Sequence, residues 1–134
     1  MSKLRVLYVE DEPDIRAIAK AAMESIGGFE VKDCGSGPEA LAVAAEFNPE
    51  IIVVDVMMPG MTGPETMASL REIAGLASKP FVFMTAKVQQ DEVAQYLELG
   101  AVGVIPKPFD VMTVSSDIRA YWQRAKENTQ SSAA

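Results

Sequence analysis

The chain is expected to fold as an α/β domain, a doubly wound five-stranded parallel sheet with helices on both faces. Three observations lead there. Short β-branched or aromatic runs alternate with amphipathic segments five times along the 134 residues, and strict alternation calls for crossover connections and a parallel sheet. The run Ile51-Ile52-Val53-Val54 is apolar without interruption, as suits a strand covered on both faces. Glu10, Asp11, Asp55, Thr85 and Lys107 each stand at or just beyond the end of a strand-like run, and the carboxyl ends of strands are where open α/β sheets place their chemistry.

The elements follow in order. Leu4 to Val9 reads as the first strand and Glu10 to Asp14 as the turn into a helix. Pro13 falls in the first helical turn, where a missing N–H costs nothing. Ile15, Ile18, Ala19, Ala22 and Ile26 recur at helical spacing, and Gly27-Gly28 stops that helix. Phe29 to Asp33 is a second, shorter strand. Ser36 with Glu39 forms a capping box for a helix through about Phe47. The third strand ends in Asp55 and is bounded by Pro49 and Pro59-Gly60. A third helix covers Pro64 to Ile73, with Met67 and Leu70 inward. Phe81 to Met84 is the fourth strand, ending at Thr85, and a helix from Gln90 to Leu99 is stopped by Gly100. Val102 to Ile105 is a short fifth strand, and Pro106 removes a ladder donor, which suits a sheet edge. The last helix is expected from about Asp110 to Ala125, with Val111, Val114, Ile118, Trp122 and Ala125 on one stripe. Trp122 belongs with the core, whereas Tyr121 is offset toward a partner or water. Residues 127–134 are polar and small and are expected to fray, leaving one domain over residues 1–126.

Composition narrows the function classes. Apolar residues make up 49% and charged residues 23%, a globular balance and not that of a disordered chain. The net charge of −7 argues against a direct grip on nucleic acid, where a basic face supplies most of the affinity. No apolar stretch approaches the ~20 residues of a membrane span, and the first residues lack a secretory pattern. Cys34 is the only cysteine, so no internal disulfide forms and a reducing cytoplasm is expected. There is no histidine, which excludes His acid/base chemistry, His metal ligands and a phosphohistidine on this chain. A metal site would therefore use oxygen ligands, pointing to Mg²⁺, Mn²⁺ or Ca²⁺ and away from zinc.

The strand-end residues make one constellation. In a parallel sheet the ends carrying Glu10, Asp11, Asp55, Thr85 and Lys107 lie side by side. Taken singly they are ordinary: a carboxylate at a strand end is usually a cap, and an acidic pair before a helix serves the helix dipole. Together they are specific. Three carboxylates in one pocket repel one another unless cations are near. Lys107 is one cation and a divalent metal is a natural second. A carboxylate so placed can attack a phosphoryl group, with the ammonium and a hydroxyl balancing charge on the equatorial oxygens.

Val9-Glu10-Asp11-Glu12, Asp55-Val56-Met57-Met58-Pro59-Gly60-Met61-Thr62-Gly63, Met84-Thr85-Ala86, Leu99-Gly100-Ala101 and Lys107-Pro108-Phe109 resemble the receiver domain of two-component response regulators. The likeness covers about residues 4–126. It implies a flavodoxin-like (CheY-like) fold with strand order 2-1-3-4-5. It implies that Asp55 accepts a phosphoryl group from a sensor histidine kinase or histidine phosphotransfer protein and that the domain then switches its binding to a downstream protein. Such a domain catalyses only its own Mg²⁺-dependent phosphorylation and dephosphorylation. By the same resemblance Asp11 and Asp55 would hold Mg²⁺ through side chains, Met57 through its carbonyl, and Glu10 largely through a metal-bound water, with Mn²⁺ a substitute. Thr85 and Lys107 would contact the phosphoryl group, with the Ala86 amide nearby, and Lys107–Pro108 would be a cis peptide.

The chain departs from the pattern first at Glu10, which stands where the family more often has Asp and keeps the charge, and then at the following positions. Many receivers carry an aromatic residue three positions before the lysine that swings inward on phosphorylation; here it is Val104. Met57 and Lys87 occupy positions that tune dephosphorylation, and an apolar Met57 would slow attack by water. Two other functions compete. One is a phosphorylation-independent interaction module, which Val104 leaves open. The other is a small α/β phosphatase or flavin binder, disfavoured because Met57 stands where a haloacid-type phosphatase needs a second acid and because Glu10-Asp11-Glu12 replaces a glycine-rich phosphate loop. The Met1 start and the short stretch after the last helix favour a stand-alone receiver, a monomer or a phosphorylation-dependent dimer that acts by protein contact, over an excised piece of a longer protein.

Overall fold

A computed structural model describes the backbone of residues 3–133 and the side chains of residues 3–128. Five strands and five helices alternate: β1 (Arg5–Val9), α1 (Pro13–Ser25), β2 (Glu30–Cys34), α2 (Gly37–Phe47), β3 (Ile51–Asp55), α3 (Gly63–Leu70), β4 (Phe81–Thr85), α4 (Gln90–Glu98), β5 (Gly103–Pro106) and α5 (Val114–Ala133). All pairings are parallel and the strand order is β2-β1-β3-β4-β5, as the receiver-like pattern implies. β5 is an edge, which accommodates Pro106 inside the strand.

The pleat divides the core in two, because successive side chains of a strand leave opposite faces. Val6, Tyr8, Ile51, Val53, Val82 and Met84 pack under α1 and α5. Leu7, Val9, Ile52, Val54, Phe81 and Phe83 pack with Ala40, Ala44, Met67 and Leu70 of α2 and α3. β3 and β4 are buried at every residue, which explains their unbroken apolar runs. α4 buries no residue fully; it leans on the sheet through Tyr96, whose ring meets Phe83 edge-on at 5.4 Å between centroids.

Several expectations shift. On α1 the buried face is Ala19, Ala22 and Met23, whereas Ile18 is 54% and Ile26 49% exposed. Small residues let α1 sit close to the sheet, which leaves Ile18 at the margin and Ile26 beyond the helix end. Ser36 caps α2 by accepting from the Glu39 amide, but Glu39 takes the amide of Gly35 in return, one residue before the capping-box position. A full capping box is on α3, between Thr62 and Glu65. α5 begins at Val114, not near Asp110, because Asp110 turns the chain by accepting from the amides of Met112, Thr113 and Val114. Val111 is left in that turn, 40% exposed. The helix continues through residue 133, since nothing from Lys126 onward is a Gly or Pro able to stop it. Tyr121 does not face away: its hydroxyl donates to the Val104 carbonyl at 3.2 Å.

Helix ends are tied down from a distance. None of α1 to α4 carries a basic residue in its own last turn, yet three arginines from other elements supply positive charge to C-terminal carbonyls. Arg5 donates to Phe47 at 2.9 Å while lying over its ring. Arg71 donates to Leu99 and Gly100, each at 3.0 Å, and lies over Phe81. Arg119 donates to Gly27 and lies over Phe29. Among the described residues no helix is long and apolar enough to cross a membrane.

Candidate functional site

The carboxyl ends of β1, β3, β4 and β5 lie along one edge of the sheet. β3 delivers Asp55, 3% exposed, and the segment after β1 delivers Glu10, fully buried, with Asp11 beside it. One carboxylate oxygen from each of Glu10, Asp11 and Asp55 lies within 4.8 Å of the others. The backbone leaving β3 folds back sharply: the Gly63 amide donates to Val56, and a Cβ on Gly63 would stand 2.6 Å from the Asp55 carbonyl oxygen. Glycine is therefore required where this loop closes over the strand.

Lys107 enters from the end of β5. Its ammonium donates to Glu10 Oε1 at 2.8 Å and stands 3.4 Å from Asp55 Oδ2. Its amide donates to the Thr85 carbonyl, and the Lys107–Pro108 peptide is cis. Thr85 is buried on β4, its Oγ1 accepting from the Lys87 amide at 3.0 Å. Ala86 follows on the exposed rim. The Met57 side chain points outward, 63% exposed. Val104 is half-buried on the edge strand, paired in register with Phe83.

The electrostatics are those of a crowded acid pair. Burial, then the hydrogen bond to Glu10 and the charge there, push the Asp55 pKa up to about 7 despite Lys107. Burial also opposes ionisation of Glu10, but the hydrogen bonds with Lys107 and Asp55 outweigh it and hold Glu10 below its ordinary value. Burial disfavours the Lys107 charge, while Glu10 and Asp55 more than compensate and raise its pKa. Without further positive charge the pair thus retains a proton near neutrality.

The donor set fits a small hard cation. All three side chains offer oxygen, and Asp11 Oδ1 is buried with no hydrogen-bond partner. A buried carboxylate oxygen left unpaired is costly, and a divalent ion satisfies it.

Sequence reading missed two supports. Arg16, on α1, donates to the Glu10 carbonyl at 2.8 Å and pairs with Asp33 at the end of β2 at 3.3 Å. The Tyr8 hydroxyl lies buried below the pocket without a partner, its pKa raised by burial and by Glu10 and Asp55. An arginine one turn into the helix after an acidic loop was the available signal for the first. No signal marked the second.

Comparison with known proteins gives a consistent picture. The family model described as response regulator receiver domain matches residues 6–119. The DNA-binding response regulator MtrA of Mycolicibacterium smegmatis is 31% identical over 123 residues, 92% of this chain and 52% of that protein. The phosphate regulon transcriptional regulatory protein PhoB of Pseudomonas aeruginosa is 32% identical over 119 residues, 89% of this chain and 52% of that protein. The chain thus spans about half the length of the curated relatives it matches. Among solved structures, Vibrio cholerae chemotaxis protein CheY4 superposes with a TM-score of 0.83 at 28% identity, covering 90% of this chain and 99% of that one.

Proposed function

The chain belongs to the response regulator receiver domain family of two-component systems, and from that membership we propose that Asp55 is its phosphoacceptor. The family consists of phospho-accepting signalling domains and not of conventional enzymes; the self-limited chemistry assigned to this chain is phosphorylation and dephosphorylation of its own Asp55. One observation carries the reading: Glu10, Asp11 and Asp55 converge within 4.8 Å with the Lys107 ammonium against two of them.

In this reading Glu10, Asp11, Asp55 and the Met57 carbonyl would hold Mg²⁺, or Mn²⁺ in its place. When bound, the ion offsets the repulsion between carboxylates and the charge on phosphoryl oxygens. The Asp55 carboxylate, drawn into its ionised form, attacks phosphorus; a new O–P bond forms as the bond to the donor breaks. Lys107 exchanges its contact with Glu10 for a phosphoryl oxygen. The Thr85 hydroxyl and the Ala86 amide donate to the others. With no histidine among these 134 residues, a phosphohistidine donor lies outside them, on a sensor kinase or phosphotransfer protein.

The readout is altered binding to a downstream protein, as a monomer or a phosphorylation-dependent dimer. Direct contact with nucleic acid is not assigned to this domain, given its net charge of −7. A cytoplasmic location is part of this reading, in keeping with a single, unpaired cysteine. An interaction module independent of phosphate is the second reading; it draws on Val104, which lacks an aromatic ring to swing.

Incubation with Mg²⁺ and acetyl phosphate should give acid-stable, hydroxylamine-labile phosphate, lost in Asp55→Asn. Labelling that persists in that variant overturns the assignment. Wild-type protein that stays unlabelled even with a cognate kinase favours the second reading.

A further inference from the structure

We infer that Arg16 and Asp33 form a positioning pair that sets the geometry of the acidic pocket for a divalent cation. This rests on the cation-binding reading of Glu10, Asp11 and Asp55. Both backbone polar groups of Glu10 are fixed from outside its own strand. Its amide donates to the Cys34 carbonyl at 3.0 Å, and its carbonyl accepts from Arg16 Nη1 at 2.8 Å. Arg16 is held in turn by Asp33, the residue before Cys34, with Nε 3.3 Å from Oδ2. The acidic loop is therefore pinned between the first turns of α1 and the end of β2.

The guanidinium is seated by design of the neighbouring backbone. A Cβ on Gly35 would lie 2.8 Å from Nη1, so the absence of a side chain there makes its space. The geometry uses the fork of arginine: Nη1 serves the carbonyl while Nε serves the carboxylate. Lysine, a single point donor, cannot hold both partners in fixed relation. Neither Arg16 nor Asp33 is among the residues proposed to touch the ion or the phosphoryl group. They act through the segment carrying Glu10 and Asp11, as outer partners of metal ligands do.

Electrostatics alone predicts the opposite of positioning. Arg16 is positive and lies near the pocket, so removing its charge and leaving Asp33 unpaired should favour a cation. If Arg16 positions the loop, removing it should weaken the cation's binding. The direction of the change separates the two roles.

The test is Mg²⁺ affinity, measured by calorimetry and by the Mg²⁺-induced rise in melting temperature. Wild type, Arg16→Gln, Arg16→Lys and Asp33→Asn are compared at constant ionic strength. Arg16→Gln is expected to weaken binding roughly tenfold, with partial recovery in Arg16→Lys and a smaller loss in Asp33→Asn. Hydroxylamine-labile labelling from acetyl phosphate should need more Mg²⁺ but reach the wild-type rate at saturation. Unchanged or tighter binding in folded Arg16→Gln overturns the inference; if that variant does not fold, Arg16→Lys decides, since it keeps the charge and loses only the fork, and wild-type Mg²⁺ affinity there overturns it. Failure of wild type to bind Mg²⁺ removes the cation reading itself, and the positioning pair with it.

Discussion

The ammonium of Lys107 lies closer to Glu10 than to Asp55, at 2.8 Å against 3.4 Å. The cation proposed to meet the phosphoryl group is thus held by the neighbouring acid and only partly neutralises Asp55. With burial and the Glu10 charge pushing Asp55 up to about 7, this relationship contributes to the divergence of the two carboxylates, Lys107 holding Glu10 below its ordinary value and offsetting the rise of Asp55 only in part.

Metal-free stability should therefore fall as pH rises through neutrality. Asp55 has a folded-state pKa of about 7 against an ordinary 3.8. Its contribution is full below the ordinary value and is lost as pH rises through 7. Glu10 runs the other way: its depressed pKa adds stability above its ordinary value, lost only at more acidic pH. Between pH 5 and 8 the Asp55 effect governs, on the order of 2 kcal/mol. Urea unfolding with chelator present should show wild type weakening across this range and Asp55→Asn nearly flat. Added Mg²⁺ should restore wild-type stability at pH 8. A wild-type profile that stays level without metal would count against the proton-sharing pair.

Tyr8→Phe should stabilise the fold. The hydroxyl is buried with no hydrogen-bond partner, whereas the ring fills the core under α1 and α5. Phenylalanine keeps the packing and removes the desolvation penalty, a gain of about 1 kcal/mol. The measurement is the urea midpoint at unchanged m-value. A loss of stability instead would show that the hydroxyl is satisfied by a buried water.

Gly103→Ala should destabilise by about 2 kcal/mol, as overpacking does in a filled site. A Cβ there would come 2.2 Å from the Tyr121 ring, on the residue beside Val104. The strain is local to that ring, so Tyr121→Ala should suppress it, and the two changes together should cost less than their sum. Additive losses in a double-mutant cycle would place the strain elsewhere.

Much of this was legible in the sequence because it rests on local pattern. The unbroken run before Asp55 declares a strand buried on both faces, five alternations declare a parallel sheet, and Pro106 declares an edge. The acids, hydroxyl and lysine could be named because each closes its own strand. Helix limits were less legible. The start of α5 depends on how Asp110 turns the chain, and its end on the absence of any breaker. Ile18 and Tyr121 sit differently from the expected pattern because helical spacing gives a stripe but not its centre.

The sequence by itself determined the fold class and the identity of the acid cluster, since periodicity and strand-end position are properties of neighbours along the chain. Only the tertiary structure decided which acid Lys107 prefers, that Arg16 and Asp33 pin the Glu10 segment, and that Tyr8 carries an unpaired hydroxyl. Those facts depend on distances between residues up to 97 positions apart. Hydrogen bonds and ion pairs act over a few ångströms, and only folding brings such residues within that reach.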